Sequence, residues 1–132
     1  MSRPGHGTGF TLVEIVIVVA VVAILLSMAT PAYLRQGLRA HRTEAIARML
    51  ETAACQERIR AVQGQYDPAH CLPSSTTRYE YAWAGAVSNG FTVRAIPQGG
   101  QVHDECGALS LSHDGTQTAN GTQSVTRCWS GR

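Results

Sequence analysis

The most restrictive feature of this chain is an apolar run from Ile15 to Ala29 that contains one polar residue, Ser27. At about 1.5 Å per residue, a helix over this run and the residues around Glu14 can cross a hydrocarbon core of roughly 30 Å. Val and Ile favour strands, but strands rarely exceed about ten residues, and no turn signal occurs before Pro31. The length therefore predicts one membrane-spanning helix.

Glu14 is the unusual residue of this segment, because an ionised carboxylate inside a membrane helix costs a few kcal/mol and is normally kept for a function. Such a carboxylate is destabilising alone and nearly neutralised when a positive charge reaches it. A secretory signal peptide cleaved near Ser27, Ala29 or Ala32 is the competing interpretation. It is disfavoured because the run is longer than a typical signal core and lies beside Glu14.

The N-terminal segment resembles that of type IV pilins, through Gly9-Phe10-Thr11-Leu12-Val13-Glu14, the apolar run and Pro31-Ala32-Tyr33. Pilins share this class III prepilin signal with type II secretion pseudopilins. The resemblance implies that a prepilin peptidase cleaves between Gly9 and Phe10 and methylates the new N-terminus at Phe10. It also implies that Glu14 pairs with the terminal amine of a neighbouring subunit during assembly. Local melting of the helix in a filament would depend on Pro31, which removes one backbone hydrogen bond.

The four cysteines predict two disulfides. Cys55, Cys71, Cys106 and Cys128 contain no C-x-x-C pair and no spacing that suits zinc, so we expect an oxidising compartment. Three pairings are open, and we favour Cys55 with Cys71 and Cys106 with Cys128 because both close local loops. Each closure would contribute on the order of 3 kcal/mol. The region beyond the membrane helix is about one hundred residues, enough for one small domain.

The charge balance, with eleven arginines against nine acids, is too small to indicate nucleic-acid binding by itself. Arg35, Arg39 and Arg42 lie at helical spacing just beyond the apolar run, where a solvated or lipid-facing stripe is favoured over a DNA site. By the positive-inside rule these arginines, which outnumber Arg3, would place the C-terminal side in the cytoplasm. The cysteines and the pilin resemblance place it outside, and we follow them.

The helix is expected to continue past Pro31 to about Val62, with Gly64 ending it and a loop over residues 66–78. Apolar residues at three- and four-residue steps predict one buried face. They are Ile46, Met49, Leu50, Ala53, Cys55, Ile59 and Val62.

Strand alternation follows the loop. The pattern predicts a hairpin with Tyr79, Tyr81 and Trp83 opposite Phe91, Val93 and Ala95 across a Ser88-Asn89-Gly90 turn, a third strand from Leu109 to Ser112, and a strand around Val125. The predicted fold class is α+β, a long helix whose outer half packs on a small antiparallel sheet, stapled by disulfides. This is also the type IV pilin fold that the resemblance implies. The predicted divisions are a leader at 1–9, a membrane or filament-core helix at 10–30, its amphipathic outer half at 31–63, and a globular head at 64–132.

Few residues indicate other chemistry. His103, Asp104 and Glu105, with His113 and Asp114 nearby, could bind a divalent cation, but successive residues rarely converge on one point, and a polar surface loop is favoured. No serine lies in a nucleophile elbow. We expect no metal, no cofactor and no enzymatic activity.

The resulting hypothesis is a type IV minor pilin, with a looser likeness to PilE-type minor pilins through Cys106–Leu111, Asp114-Gly115 and Cys128-Trp129. The expected partners are other pilin subunits, the prepilin peptidase, the inner-membrane assembly machinery and membrane lipid. We expect a single-pass inner-membrane protein with a periplasmic head, found in cell-surface pili after assembly and supporting motility, adhesion or DNA uptake. The alternatives are a type II secretion pseudopilin, a DNA-receptor pilin and a membrane-tethered enzyme.

Overall fold

The computed structural model of the protein describes residues 9–85 and 88–131. The chain forms two compact units, the first ending at Leu34 and the second beginning at Arg35. The helices are α1 (Leu12–Gln63) and α2 (Val125–Trp129), with a 3₁₀ helix at Gly99–His103. The strands are β1 (Tyr79–Trp83), β2 (Thr92–Pro97), β3 (Leu109–Ser112) and β4 (Gln117–Ala119).

Helix α1 begins and ends at residues that satisfy its free backbone groups. Thr11 Oγ1 accepts a hydrogen bond from the Glu14 backbone N–H at 3.3 Å, as an N-cap does. At the other end Gly64 has φ +79 and donates its N–H to the Arg60 carbonyl at 2.8 Å. A left-handed residue in this position is a common way to end a helix, and glycine adopts it without steric cost. The predicted end of the helix is therefore confirmed.

The four strands form one antiparallel sheet in the order β1-β2-β3-β4. Tyr81 is paired with Ala95, and Val93 with Leu111. Alternate residues of the first three strands are buried, which gives the sheet one apolar face. The buried members are Tyr79, Tyr81, Val93, Ala95, Leu109 and Leu111. The predicted hairpin and third strand are present, although Phe91 precedes β2, and residues 86–87 of the connection lie outside the described part.

The core of the second unit joins this apolar face to α1. Ala45, Ile46 and Met49 of the helix pack with the inward-facing strand residues. Tyr66 and Phe91 form a second buried cluster, with ring centroids 5.0 Å apart in an edge-on arrangement. The predicted packing of the outer half of the helix on a small sheet is confirmed.

The buried face of α1 differs from the predicted one at its ends. Leu50 is 49% exposed and Val62 is 87% exposed. Thr52 and Gln56 are buried instead, because their side chains hydrogen-bond to backbone groups of the loop that follows α1. Thr52 and Gln56 are thus buried because they satisfy backbone groups, whereas Leu50 and Val62 are exposed although the apolar periodicity predicts that they are buried.

The C-terminal region also differs from prediction. The expected strand around Val125 is helix α2, whose N-cap Ser124 accepts a hydrogen bond from the Arg127 N–H at 3.4 Å. Helix α2 places Cys128 for its disulfide with Cys106, and it lies against β4. Strand β4 was not predicted, because its residues Gln117–Ala119 are polar or small and show no buried face.

Candidate functional site

The apolar half of α1 is exposed along its whole length. Each described residue of the first unit, from Gly9 to Leu34, is exposed, and large apolar side chains such as Leu12 and Met28 expose 78% and 74% of their surface. This helix is long and apolar enough to cross a membrane. An apolar surface of this extent is covered by lipid or by other subunits in a functional protein. The segment suits membrane anchoring, and the predicted limits of the membrane helix, residues 10 and 30, stay a prediction.

Glu14 lies in the first turn of α1, where the helix dipole favours a negative charge. It takes part in no ion pair within residues 9–85 and 88–131. Gly9 and Phe10 precede the helix and are exposed. The segment thus presents a single carboxylate, beside an accessible Gly9-Phe10 bond, at the start of an uncovered apolar helix.

Pro31 lies inside α1, and the helix continues through it. Just before it, Ser27 Oγ donates to the Ile24 carbonyl at 2.7 Å, and Thr30 Oγ1 donates to the Leu26 carbonyl at 2.9 Å. The carbonyl that loses its donor at Pro31 is that of Ser27, four residues earlier, so these two bonds go to neighbouring carbonyls of the same stretch. The role of Pro31 in a filament stays a prediction.

The cysteines form two disulfides, Cys55 with Cys71 and Cys106 with Cys128, which are the pairs that local loop closure favours. The first ties the loop after the long helix to α1, and the second ties α2 to the residues before β3. Cys106 and Cys128 are buried in the core, whereas Cys55 and Cys71 are half-buried. The two bonds thus differ in their exposure to solvent.

A buried ion pair that the sequence did not reveal joins α1 to the residues after the 3₁₀ helix. Arg42 donates to Asp104 at 2.5 Å, and both side chains are about 5% exposed or less. Asp104 also accepts from the Cys106 N–H and from Gln101 Nε2. Arg42 was predicted to belong to a solvated or lipid-facing stripe, and this is wrong for Arg42.

Gln101 extends this network. Its side-chain amide contacts the Leu38 carbonyl at 2.9 Å and the Tyr79 hydroxyl at 3.0 Å. Burial, followed by the negative charge of Asp104, raises the pKa of Tyr79 from 10.0 to about 12. The phenol therefore stays neutral at physiological pH. The network fixes the 3₁₀ helix against α1, and it involves no group that is free to react.

A basic pocket of about 170 Å³ lies beside this network, within the second unit. It is lined mainly by charged side chains: Arg35, Arg39, Arg42, His103, Asp104, Glu105 and Arg127. Arg127 comes from α2 and joins the α1 arginines only in the folded chain. No sequence pattern could have grouped it with them, because it lies far from Arg35 and Arg39 along the chain.

The candidate cation ligands do not converge. Asp104 points to Arg42, whereas its neighbours His103 and Glu105 are exposed. Asp114 Oδ1 accepts the Thr116 N–H at 2.9 Å, and this bond lowers its pKa. Across residues 9–85 and 88–131, no group of three or more His, Cys, Asp or Glu side chains is placed to hold a metal ion.

Comparisons with known proteins identify the fold and the family. Among solved structures, a type IV pilin from Shewanella oneidensis is 26% identical over 61% of this chain and 89% of that chain, with a TM-score of 0.56. The non-core minor pilin PilV of Neisseria meningitidis is 22% identical over 67% of this chain and 92% of that one, with a TM-score of 0.54. The PilV similarity shows the fold alone. No curated protein sequence matched the chain.

Residues 31–110 match the family described as "Type IV minor pilin ComP, DNA uptake sequence receptor". The match covers 80 of the 132 residues and includes the outer half of α1, strands β1 and β2, and the first two residues of β3. The predicted pilin fold, the predicted resemblance to type IV pilins and the choice of a minor pilin as the main hypothesis are confirmed. The chain belongs to this family of type IV minor pilins.

Proposed function

We propose that this protein is a minor pilin that is made as a prepilin, cleaved between Gly9 and Phe10, and built into a pilus or its initiating tip complex through its apolar helix. The observation that carries the proposal is the uncovered part of α1 from Leu12 to Leu34, which has one carboxylate, Glu14, in its first turn. Burial of this surface among neighbouring helices supplies the association energy. Other pilin subunits, the prepilin peptidase and the inner-membrane assembly machinery are its partners, and it acts in assembly without catalysing a reaction.

Glu14 sets the axial position of the subunit in this mechanism. A carboxylate in a non-polar filament core is stabilised only where a positive charge meets it. The terminal amine that cleavage creates at Phe10 of a neighbouring subunit supplies that charge. Before assembly the subunit is held in the inner membrane with its head in the periplasm, where the two disulfides form.

The test compares the wild-type chain with Glu14→Gln and Glu14→Asp in native cells. Intact mass and N-terminal sequencing are measured on membrane and sheared-fibre fractions. We expect wild-type chains that begin at N-methylated Phe10 in both fractions. Glu14→Gln should be cleaved but depleted from fibres, and Glu14→Asp should be depleted less because it keeps the charge. A chain that begins beyond Ala29 would contradict the proposal, because the apolar run would then be a discarded signal.

DNA reception is the second candidate function, supported by the family description and by arginines within the matched residues. Arg78 is exposed and Arg94 is partly exposed, and Arg127 outside the match adds a third positive charge. Phosphate contacts by such residues make binding strongly salt-dependent. Duplex binding is therefore measured over a salt series for the wild-type chain and for Arg78→Gln, Arg94→Gln and Arg127→Gln. Affinity and salt slope that are unchanged in all three variants would reject these residues as a DNA site.

A further inference from the structure

The basic pocket described above combines arginines from two helices. Its arginines are Arg35, Arg39 and Arg42 of α1 and Arg127 of α2. They face two carboxylates, Asp104 and Glu105, which leaves two positive charges in excess before His103 is counted. A concave site with this excess attracts anions.

Some of the charges that line this pocket are paired, and others are free. Asp104 is occupied by Arg42, and Glu105 accepts a hydrogen bond from Gln123 Nε2 at 2.8 Å. In the described part of the chain, Arg35, Arg39 and Arg127 belong to no ion pair. Arg35 and Arg127 are exposed and Arg39 is half-buried, so their guanidinium groups are available to a ligand.

The size and lining of the pocket select a phosphate-sized group. Its volume of about 170 Å³ is below the roughly 300–1,000 Å³ of pockets that hold drug-sized molecules. A shallow depression adjoins it, lined by Arg39, Arg127 and the hydroxyl residues Ser124, Thr126 and Ser130. Guanidinium groups bind phosphate oxygens through paired hydrogen bonds, and neighbouring hydroxyls suit a polar headgroup.

The position of these arginines in the chain indicates the source of the phosphate. Arg35 directly follows Leu34, the last residue of the exposed apolar unit. Arg39 is five residues beyond Leu34, so no conformation separates them by more than about 18 Å. Headgroups occupy a layer of roughly 5–8 Å on each side of the hydrocarbon core. In a membrane-anchored chain, Arg35 and Arg39 therefore lie in the headgroup layer or close to it.

We propose that the pocket binds the phosphate headgroup of an anionic phospholipid while the subunit is held in the membrane. The proposal rests on the membrane anchoring in the proposed function. It assigns to Arg127, a residue of the C-terminal helix, a lipid contact that the juxtamembrane arginines alone would not predict. Release of the headgroup would then accompany transfer of the subunit from the bilayer to a filament.

The full chain is reconstituted in nanodiscs that contain phosphatidylglycerol and phosphatidylcholine in equal amounts, and the lipid that remains bound after release is identified by native mass spectrometry. The variants are Arg127→Gln and the pair Arg35→Gln/Arg39→Gln. Arg58→Gln is the matched control, because Arg58 is an exposed arginine of the same long helix outside the pocket. Inorganic phosphate and duplex DNA are tested as competitors.

We expect the wild-type chain and Arg58→Gln to retain phosphatidylglycerol in preference to phosphatidylcholine, and Arg127→Gln to retain it about fivefold less. Equal retention by Arg127→Gln and the wild-type chain would overturn the proposal. Displacement of the lipid by inorganic phosphate at a concentration equal to that of the lipid would also overturn the proposal. Loss of DNA binding in the variants, with lipid retention unchanged, would overturn it as well. A chain that does not enter nanodiscs would overturn membrane anchoring as well, whereas entry without lipid preference would overturn this proposal alone.

Discussion

Replacement of Asp104 by Asn tests how strongly the second unit depends on its buried ion pair. The substitution keeps the shape of the side chain and removes its charge, so that the guanidinium of Arg42 stays buried without a counter-ion. Removing one partner of a buried pair costs about 3–5 kcal/mol. Two further bonds are affected, because Asp104 also accepts from Gln101 Nε2 at 3.1 Å and from the Cys106 N–H at 3.2 Å. An amide can still accept one of them, so we expect a loss near the middle of that range.

A loss of about 4 kcal/mol is a large part of the roughly 5–15 kcal/mol that stabilises a small domain. For a domain of about one hundred residues, each kcal/mol shifts Tm by at least about 4 °C, so Tm should fall by about 16 °C or more. The assay is thermal unfolding of the full chain in detergent, followed by near-ultraviolet circular dichroism of Trp83 and Trp129. These residues pack against the core of the second unit, so the signal reports on that unit.

Two controls separate burial from charge. Glu44→Gln removes one partner of the exposed ion pair between Arg48 and Glu44 and should leave Tm nearly unchanged. The double variant Arg42→Met/Asp104→Leu removes both buried charges and should be more stable than Asp104→Asn, because no uncompensated charge remains. A Tm for Asp104→Asn that equals the Tm of Glu44→Gln would refute the reasoning.

Three further predictions concern the pKa of Tyr79, two glycines and the disulfides. The pKa of Tyr79 is raised above its unfolded value of 10.0, so the stability that its neutral phenol confers should be complete below pH 10. This stability should fall by about 2–3 kcal/mol as the pH approaches 12. Urea unfolding of the wild-type chain and of Tyr79→Phe, measured against pH, would test this. Gly121→Ala should lower Tm strongly, because the added Cβ would clash with backbone atoms of residues 105 and 106. Gly37→Ala is the control: Gly37 lies in α1 with open space around it, so the substitution should raise stability by about 0.5–1 kcal/mol. A mild reductant should open the half-buried Cys55–Cys71 disulfide before the buried C-terminal one, as measured by alkylation and mass spectrometry of the folded chain; simultaneous opening would contradict it.

The elements that sequence predicted are those whose signal is local. The apolar run defines its helix by length, and the alternation from Tyr79 to Trp83 defines a strand because every second side chain is buried. Gly64 ended the long helix in the predicted place because glycine adopts the left-handed conformation that its φ of +79 requires. Each of these signals is contained in a few consecutive residues.

The features that sequence missed depend on residues far apart in the chain. Arg42 looked like one of three surface arginines, since nothing near it reveals that Asp104, 62 residues later, lies opposite it. Thr52 is absent from the predicted buried face, but it is buried because its hydroxyl donates to the Cys71 carbonyl at 3.1 Å across the loop. The basic pocket was missed for the same reason, because Arg127 joins it only through the folding of the C-terminal region.

The two units place different physical demands on the sequence. Each buried residue of the described chain lies at or beyond position 42, so the free energy that folds the head comes from residues that the apolar segment does not contain. In the proposed function, the free energy of anchoring and assembly comes from residues 10–34, which contribute no buried side chain to the single subunit. Substitutions should therefore separate into two classes. Asp104→Asn should change the unfolding of the head while leaving membrane insertion intact, and Glu14→Gln should change incorporation into fibres while leaving the Tm of the head intact. A Glu14 variant that lowered that Tm would show that the charge at the start of the helix also contributes to folding, and its effect on assembly could then no longer be assigned to a contact between subunits.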